Sequence, residues 1–274
     1  MSISPLSYVH PEAQIGAHVT VSPFSYIDKN VVVGEGTWIG PNVTIFEGAR
    51  IGKNCQLFPG AVISAIPQDL KFKGEDTTTE IGDYTTLREY VTVNRGTAAA
   101  GKTVIGNHCL LMAYVHIAHD CILGDRIILA NNVNLAGHVE IEDFAILEGL
   151  VAVQQFIRIG AHSFIAGGSL VRKSVPPFVK AAREPLSYAG VNAVGLQRRQ
   201  FSPEQINTIQ DIYRLLYVRG YQLSKALQRI SEEIPDSPER HQVLEFIRKS
   251  EALGIMKGFR NLEDLNEVAD SNAK

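Results

Sequence analysis

The chain has 274 residues, 45% of them hydrophobic, and its 26 Lys and Arg nearly balance 29 Asp and Glu for a formal charge of -3. Such a composition fills a core and gives no reason to expect nucleic acid or another polyanion as partner. No apolar run approaches the roughly 18 to 20 residues that span a bilayer, and Met1 to His10 lacks the basic start and apolar stretch of a signal peptide, so no membrane insertion is expected and the expected address is the cytoplasm.

From the N-terminus the dominant signal is a period of six. Val9, Ile15, Val21, Ile27, Val33, Ile39, Ile45, Ile51, Leu57 and Ile63 follow at six-residue steps. The frame lapses from Ser64 to Glu80, resumes with Ile81, Leu87 and Val93, lapses again near Ala98 to Lys102, then runs from Ile105 to Val171. The fifth position of each unit is small or β-branched, and Cys55, Cys109 and Cys121 all fall there. With no CxxC pair and an odd total, the cysteines suggest neither a disulfide framework nor a zinc knuckle, and they read as core residues.

Position five and position one of the next unit are two residues apart, so on an extended strand both point inward while position six points out. Gly, Asn, Asp and Pro crowd positions two to four, which is turn chemistry. A strand and a corner every six residues predict a parallel β-helix. The signature resembles that of the hexapeptide-repeat acyltransferases, whose β-helix is left-handed with three units per coil. That resemblance implies a handedness opposite to the usual crossover and places residues n and n+18 on adjacent rungs.

Past Val175-Pro176-Pro177 the period stops and a helical alphabet takes over. Ser202, Pro203 and Glu204 read as an N-cap and first turn of a helix carrying Ile206, Ile209, Ile212 and Leu216, with Gly220 as its stop. A second helix is expected over Leu223 to Glu233 and a third from Ser237-Pro238-Glu239, while the polar end from Asn261 is expected to fray. The expected fold is therefore mainly β, a left-handed parallel β-helix over 1–190 with a C-terminal α-helical domain over 191–274.

The densest reactive cluster is Tyr114-Val115-His116-Ile117-Ala118-His119-Asp120-Cys121, joined by Leu135-Ala136-Gly137-His138. Eighteen-residue coils stack His119 on Gly137 and Gly137 on Gln155 at one corner. Acyl transfer to a hydroxyl needs a base and a donor aimed at the developing oxyanion, roles open to His119 and the Gly137 amide. Asp120 either orients the imidazole or is turned away by the corner. On spacing alone a solvated corner histidine is the plainer reading of His119.

The hexads, His-Ile-Ala-His-Asp-Cys, Leu-Ala-Gly-His-Val and the later Gly-Leu-Gln-Arg-Arg together resemble the UDP-N-acetylglucosamine acyltransferases, which open lipid A synthesis. The likeness runs from about Val9 to Phe201 and more loosely through the tail. It implies transfer of an acyl chain, with or without a 3-hydroxyl group, from the phosphopantetheine of acyl carrier protein to the sugar 3-hydroxyl, with no further cofactor and no metal. It makes His119 the general base, puts the Gly137 amide in the oxyanion hole, and places His116, His138 and Gln155 along the site. It assigns Gln68, Asp69 and Lys71, in the first lapse, to a loop reaching the sugar in a neighbouring subunit's cleft. Asn192, Arg198 and Arg199 fall to the phosphopantetheine arm and nucleotide phosphates, and Gly167 to the limit on acyl length. A homotrimer with sites between subunits is implied.

The sequence departs from the family at Asn94 and Gln154, where better-known members carry histidine, and over Ala182 to Ser187. These departures leave open an acceptor with a 3-amino group. Competing readings are an N-acyltransferase or a small-molecule acetyltransferase on the same scaffold, a zinc hydratase with a three-histidine site between subunits recruiting His116, His119 and His138, and a non-catalytic scaffold or binding module.

Overall fold

The structure, a computed structural model, describes residues 2–258. From Ser2 to Val171 short strands, most of two residues, recur along the chain and fall in turn on three sheets. We number the sheets by size: sheet 1 has twelve strands, sheet 2 nine and sheet 3 eight. Leu110 pairs with Ile128, Ile128 with Ile146 and Ile146 with Phe164, all parallel, so one circuit takes eighteen residues. Gln56 pairs with Thr86 and Thr86 with Leu110. The two lapses thus lengthen their circuits by twelve and six residues and leave the register intact. The coil is left-handed.

First and fifth positions fill the prism: Ile27, Ile39, Leu57, Ile63, Leu111 and Ile117 are fully buried, as are Cys55 and Cys121. Each of the three thiols lies 3.2 Å from a backbone carbonyl of the next rung, and burial pushes the Cys121 thiol up to about 12. These cysteines pack and do not react.

The corners hold a feature that turn composition alone did not specify. The fourth residue of nearly every unit has a positive φ, including Asn30, Tyr84, Asp120, Phe144 and His162. That conformation costs a non-glycine residue about 1–2 kcal/mol. The cost is offset because its N–H then reaches a carbonyl on the preceding rung, as from Tyr84 to Lys53 at 2.8 Å and from His138 to His119 at 3.1 Å. Aromatic corner residues also stack on one another, Tyr90 on Tyr114 at 5.2 Å and Phe144 on His162 at 4.8 Å.

Beyond Val175 the chain does not go straight to helices. Val179–Ala182 and Ser187–Val191 form an antiparallel hairpin that extends sheet 1, and Lys257–Gly258 adds a last strand. The boundary expected at residue 190 falls inside this hairpin. Four helices follow: α1 (Ala193–Arg198), α2 (Pro203–Tyr213), α3 (Leu223–Glu233) and α4 (Pro238–Lys249). Ser202 and Gln205 form a reciprocal capping box at the start of α2. A π-helical turn over Arg214–Val218 continues α2 to Gly220. Tyr213 and Tyr217 there stack with Tyr188 of the hairpin, which ties the helices to the end of the coil. The tail from Asn261 lies outside the described residues.

Candidate active site

Sheet 2 strands leave for sheet 3 through one column of corners. His116 pairs with Asn134 and Asn134 with Ala152, so the corners that follow stack His119 on Gly137 and Gly137 on Gln155, as the three-unit coil implied by the resemblance requires. The His119 ring packs flush against the glycine: a Cβ added to Gly137 would lie 2.6 Å from His119 Cε1 and 2.7 Å from Nε2. The Gly137 amide is also free to act. Third-position amides of Lys53, Asp83, Asn107, Asp125, Ala161 and Gly167 each donate to a side-chain oxygen. That of Gly137 donates to nothing among the described residues.

The corner points Asp120 toward the imidazole. His119 is 8% exposed, and its Nδ1 lies 2.8 Å from Asp120 Oδ2, itself fully buried. Asp120 Oδ1 accepts from Thr97 N–H at 2.8 Å and Oδ2 from the Thr97 hydroxyl at 2.6 Å. Burial opposes the carboxylate's charge, but the donors from Thr97 and His119 outweigh it and hold the carboxyl below its ordinary range. An ionised carboxylate only accepts, so Nδ1 carries the proton, and in the neutral ring the lone pair is left on Nε2, on the Gly137 side.

His138 stands edge-on to His119 at 5.2 Å, its Nε2 3.5 Å from Asp120 Oδ2, and its ring stacks on Phe156 at 4.8 Å. His116 points outward from sheet 2, where its Nδ1 meets the Thr92 hydroxyl at 2.7 Å and burial lowers its pKa. The group whose ligand atoms come within 4.8 Å of one another is His119, Asp120 and His138. His116 is not among them within one chain.

Both lapses leave from this same column of corners. The first, residues 66–77, carries Gln68, Asp69 and Lys71, with Gln68 and Lys71 exposed and the Asp69 carboxylate accepting from Lys71 N–H at 2.9 Å. Leu70 at its tip is fully exposed. Asn94 Nδ2 donates to Ile66 O at 3.0 Å, and the Arg95 guanidinium sits 5.5 Å over the Phe72 ring, so the loop is pinned at its root by the next circuit. The second lapse supplies Thr97. Sequence reading passed over Thr97 and met Asn94 only as a departure, and the sole signal for either was its place beside a break in the period.

The other expected site residues lie on other edges. Asn192 caps α1 and donates to His162 O at 2.9 Å, and Arg199 donates to Phe144 O at 3.0 Å while stacking over the Phe144 ring. Phe144 and His162 turn the corner from sheet 3 to sheet 1, so this cluster and His119 sit at opposite edges of sheet 3. Arg199 keeps one buried Nη1 with no partner, and Arg198 is exposed. Gly167 is at the third edge, between sheets 1 and 2, its N–H on Glu148 at 3.0 Å. One chain therefore unites His119, Asp120, Gly137 and His138, and does not bring Asn192, Arg198, Arg199 or Gly167 to them.

Comparison with known proteins was then decisive. Residues 175–256 match the family profile described as UDP N-acetylglucosamine O-acyltransferase, domain 2, and residues 30–65 and 102–137 match the bacterial transferase hexapeptide repeats. An acyl-[acyl-carrier-protein]--UDP-N-acetylglucosamine O-acyltransferase of Xanthomonas oryzae is 44% identical over 251 residues, 91% of this chain and 95% of its own. The chain belongs to the UDP-N-acetylglucosamine O-acyltransferase family. Among solved structures, the UDP-N-acetylglucosamine acyltransferase of Bacteroides fragilis is 50% identical with a TM-score of 0.91, covering 93% of this chain and 99% of that one. The Arabidopsis enzyme is 31% identical with a TM-score of 0.81, covering 94% and 100%. Family membership extends over both the coil and the helices. The coil match that ends at Gly137 contains His119, and the second-domain match contains Asn192, Arg198 and Arg199.

Proposed function

We propose that this acyltransferase moves a 3-hydroxyacyl chain from acyl carrier protein to the 3-hydroxyl of UDP-N-acetylglucosamine, the opening step of lipid A synthesis. The observation that carries the mechanism is the imidazole whose Nδ1 is held by Asp120 while its Cε1–Nε2 edge lies against the bare Cα of Gly137, a residue whose amide is unengaged among the described residues. His119 Nε2 takes the hydroxyl proton as the sugar oxygen attacks the thioester carbonyl. The Gly137 N–H donates to the resulting oxyanion. When the C–S bond breaks, the proton on His119 passes to the phosphopantetheine sulfur, leaving a free thiol and a sugar ester. The carrier brings the donor already activated, so the reaction needs no cofactor and no metal. No helix among the described residues is long and apolar enough to cross a membrane; the cytoplasm is the address proposed for the reaction.

The working unit is a homotrimer, and the outward residues indicate how it is built. Sheet 1 presents Leu110, Ile128, Ile146 and Phe164 in one column, and the edge between sheets 1 and 2 presents Phe24, Tyr90, Tyr114 and Leu150, each more than half exposed. Sheet 3 presents the charged Arg50, Glu80, Glu140 and Arg158, interspersed with Val32, Val104 and Ile122. Apolar stripes of this kind mark interfaces, and charged faces meet water. With the apolar edge on a threefold axis, sheet 1 of one copy faces sheet 2 of the next. Arg199 of one copy then flanks the same cleft as His119 of its neighbour. In that cleft Asn192, Arg198 and Arg199 hold the phosphates and phosphopantetheine, His116, His138 and Gln155 line the acyl and sugar sites, and the loop of Gln68, Asp69 and Lys71 reaches the sugar. Gly167, near the axis, leaves the acyl groove open.

The test is to incubate the protein with UDP-N-acetylglucosamine or its 3-amino analogue and a panel of acyl carrier thioesters, and to weigh the products. An ester of UDP-N-acetylglucosamine is expected, and His119→Ala should abolish it while the protein still folds and assembles. Product only from the amino analogue would reassign the acceptor, and undiminished activity of His119→Ala would remove the base.

A further inference from the structure

The second lapse in the repeat adds residues to the circuit just before His119 and spends them on one contact. Thr97 meets Asp120 twice, by its N–H on Oδ1 and its hydroxyl on Oδ2, and both residues are buried. The direction of the hydroxyl bond is fixed. Ala99 N–H donates to Thr97 Oγ1 at 3.2 Å, so the single hydroxyl proton is left for the carboxylate. From the other side Thr103 Oγ1 accepts the Asp120 N–H at 2.8 Å. Asp120 is therefore gripped at both ends of the residue, with Oδ2 turned to His119 Nδ1 at 2.8 Å and, more distantly, to His138 Nε2 at 3.5 Å. Gly96 allows the fold-back: a Cβ there would lie 2.2 Å from Lys102 N.

We propose that Thr97 is a positioning residue for acyl transfer, acting through Asp120 to hold His119 with the proton on Nδ1 and the lone pair on Nε2. The proposal rests on His119 being the base. Thr97 is buried and its side-chain hydroxyl is spent on Asp120, so its loss should be read in turnover and not in binding. Thr97→Val keeps the shape and the backbone donor while removing the hydroxyl, and Thr97→Ser restores it.

The experiment is steady-state kinetics of Thr97→Val, Thr97→Ser, Asp120→Ala and the double variant Thr97→Val/Asp120→Ala, with circular dichroism melts and trimer mass as controls. Thr97→Val should lower kcat about 10- to 100-fold, as a misplaced catalytic group does, with KM for both substrates within about twofold. Thr97→Ser should recover most of the loss. In the Asp120→Ala background the valine should cost less than about twofold, because a residue that acts through Asp120 has nothing left to act on. Wild-type kcat in Thr97→Val, an equal defect in Thr97→Ser, or a full-sized loss in the Asp120→Ala background would each overturn the proposal. A wild-type protein that transfers no acyl group would instead sink the function on which it rests. If Thr97→Val fails to assemble, Thr97→Ala against Thr97→Ser makes the same comparison: a kcat loss in alanine that serine recovers supports the proposal, and equal kcat in the two overturns it.

Discussion

Gly137 has no side chain at the point where one would meet the ring proposed as the base. A methyl group there would lie under 3 Å from His119 Cε1 and Nε2, and the residue is not at a positive φ, so the backbone itself accepts alanine. Gly137→Ala is therefore expected to fold and to lose about 10²-fold or more in kcat, as the ring is pushed off the Nε2 position and the amide is screened. Circular dichroism and kinetics on the same sample check it, and normal turnover would detach Gly137 from the chemistry. The pairing of His119 with Gly137 was legible in the sequence because a fixed circuit converts residue number into position. The grip of Thr97 on Asp120 was not. Thr97 stands in a lapse, where the period assigns no coordinate, and the aim of Asp120 depends on a positive φ that no turn composition specified.

At the scale of elements, what could be read depended on whether the signal was local. Ser202 and Ser237 cap α2 and α4 through their own side chains, and α3 spans Leu223–Glu233, as expected from local composition. The hairpin of Val179–Ala182 and Ser187–Val191 was missed, although Val179, Lys180 and Ala181 alternate buried, exposed, buried. Once the six-residue period ended, a period of two over so few residues did not stand out against the helical alphabet downstream. The π turn after α2 had no signal short of Gly220, since the Tyr188, Tyr213 and Tyr217 stack that accompanies it joins distant segments. The capping box predicts an outcome of its own: Ser202→Ala removes the acceptor for Gln205 N–H and should destabilise the helical domain by about 1 kcal/mol. For a chain of this size that lowers the melting temperature by roughly 2–4 °C. Acyl transfer at low temperature should be unchanged, and a loss of turnover without a loss of stability would place Ser202 in the site.

On the scale of the molecule, the triangular section of the coil separates residues that the proposed chemistry needs together. His119 turns the corner between sheets 2 and 3, and Arg199 packs on Phe144 at the corner between sheets 3 and 1. No movement of side chains joins two edges of one rigid prism. A ring of three copies would, and with the head-to-tail interfaces proposed for it each cleft would take His119 from one copy and Arg199 from the next. The arrangement can be counted. His119→Ala and Arg199→Ala should each be nearly inactive alone. Refolded together in equal amounts they form mixed trimers in three cases of four, and every mixed ring has one cleft with both native residues. Activity should then return to about a quarter of wild type. A site contained within one chain would give no recovery on mixing, so the yield of that single experiment distinguishes a shared cleft from a private one.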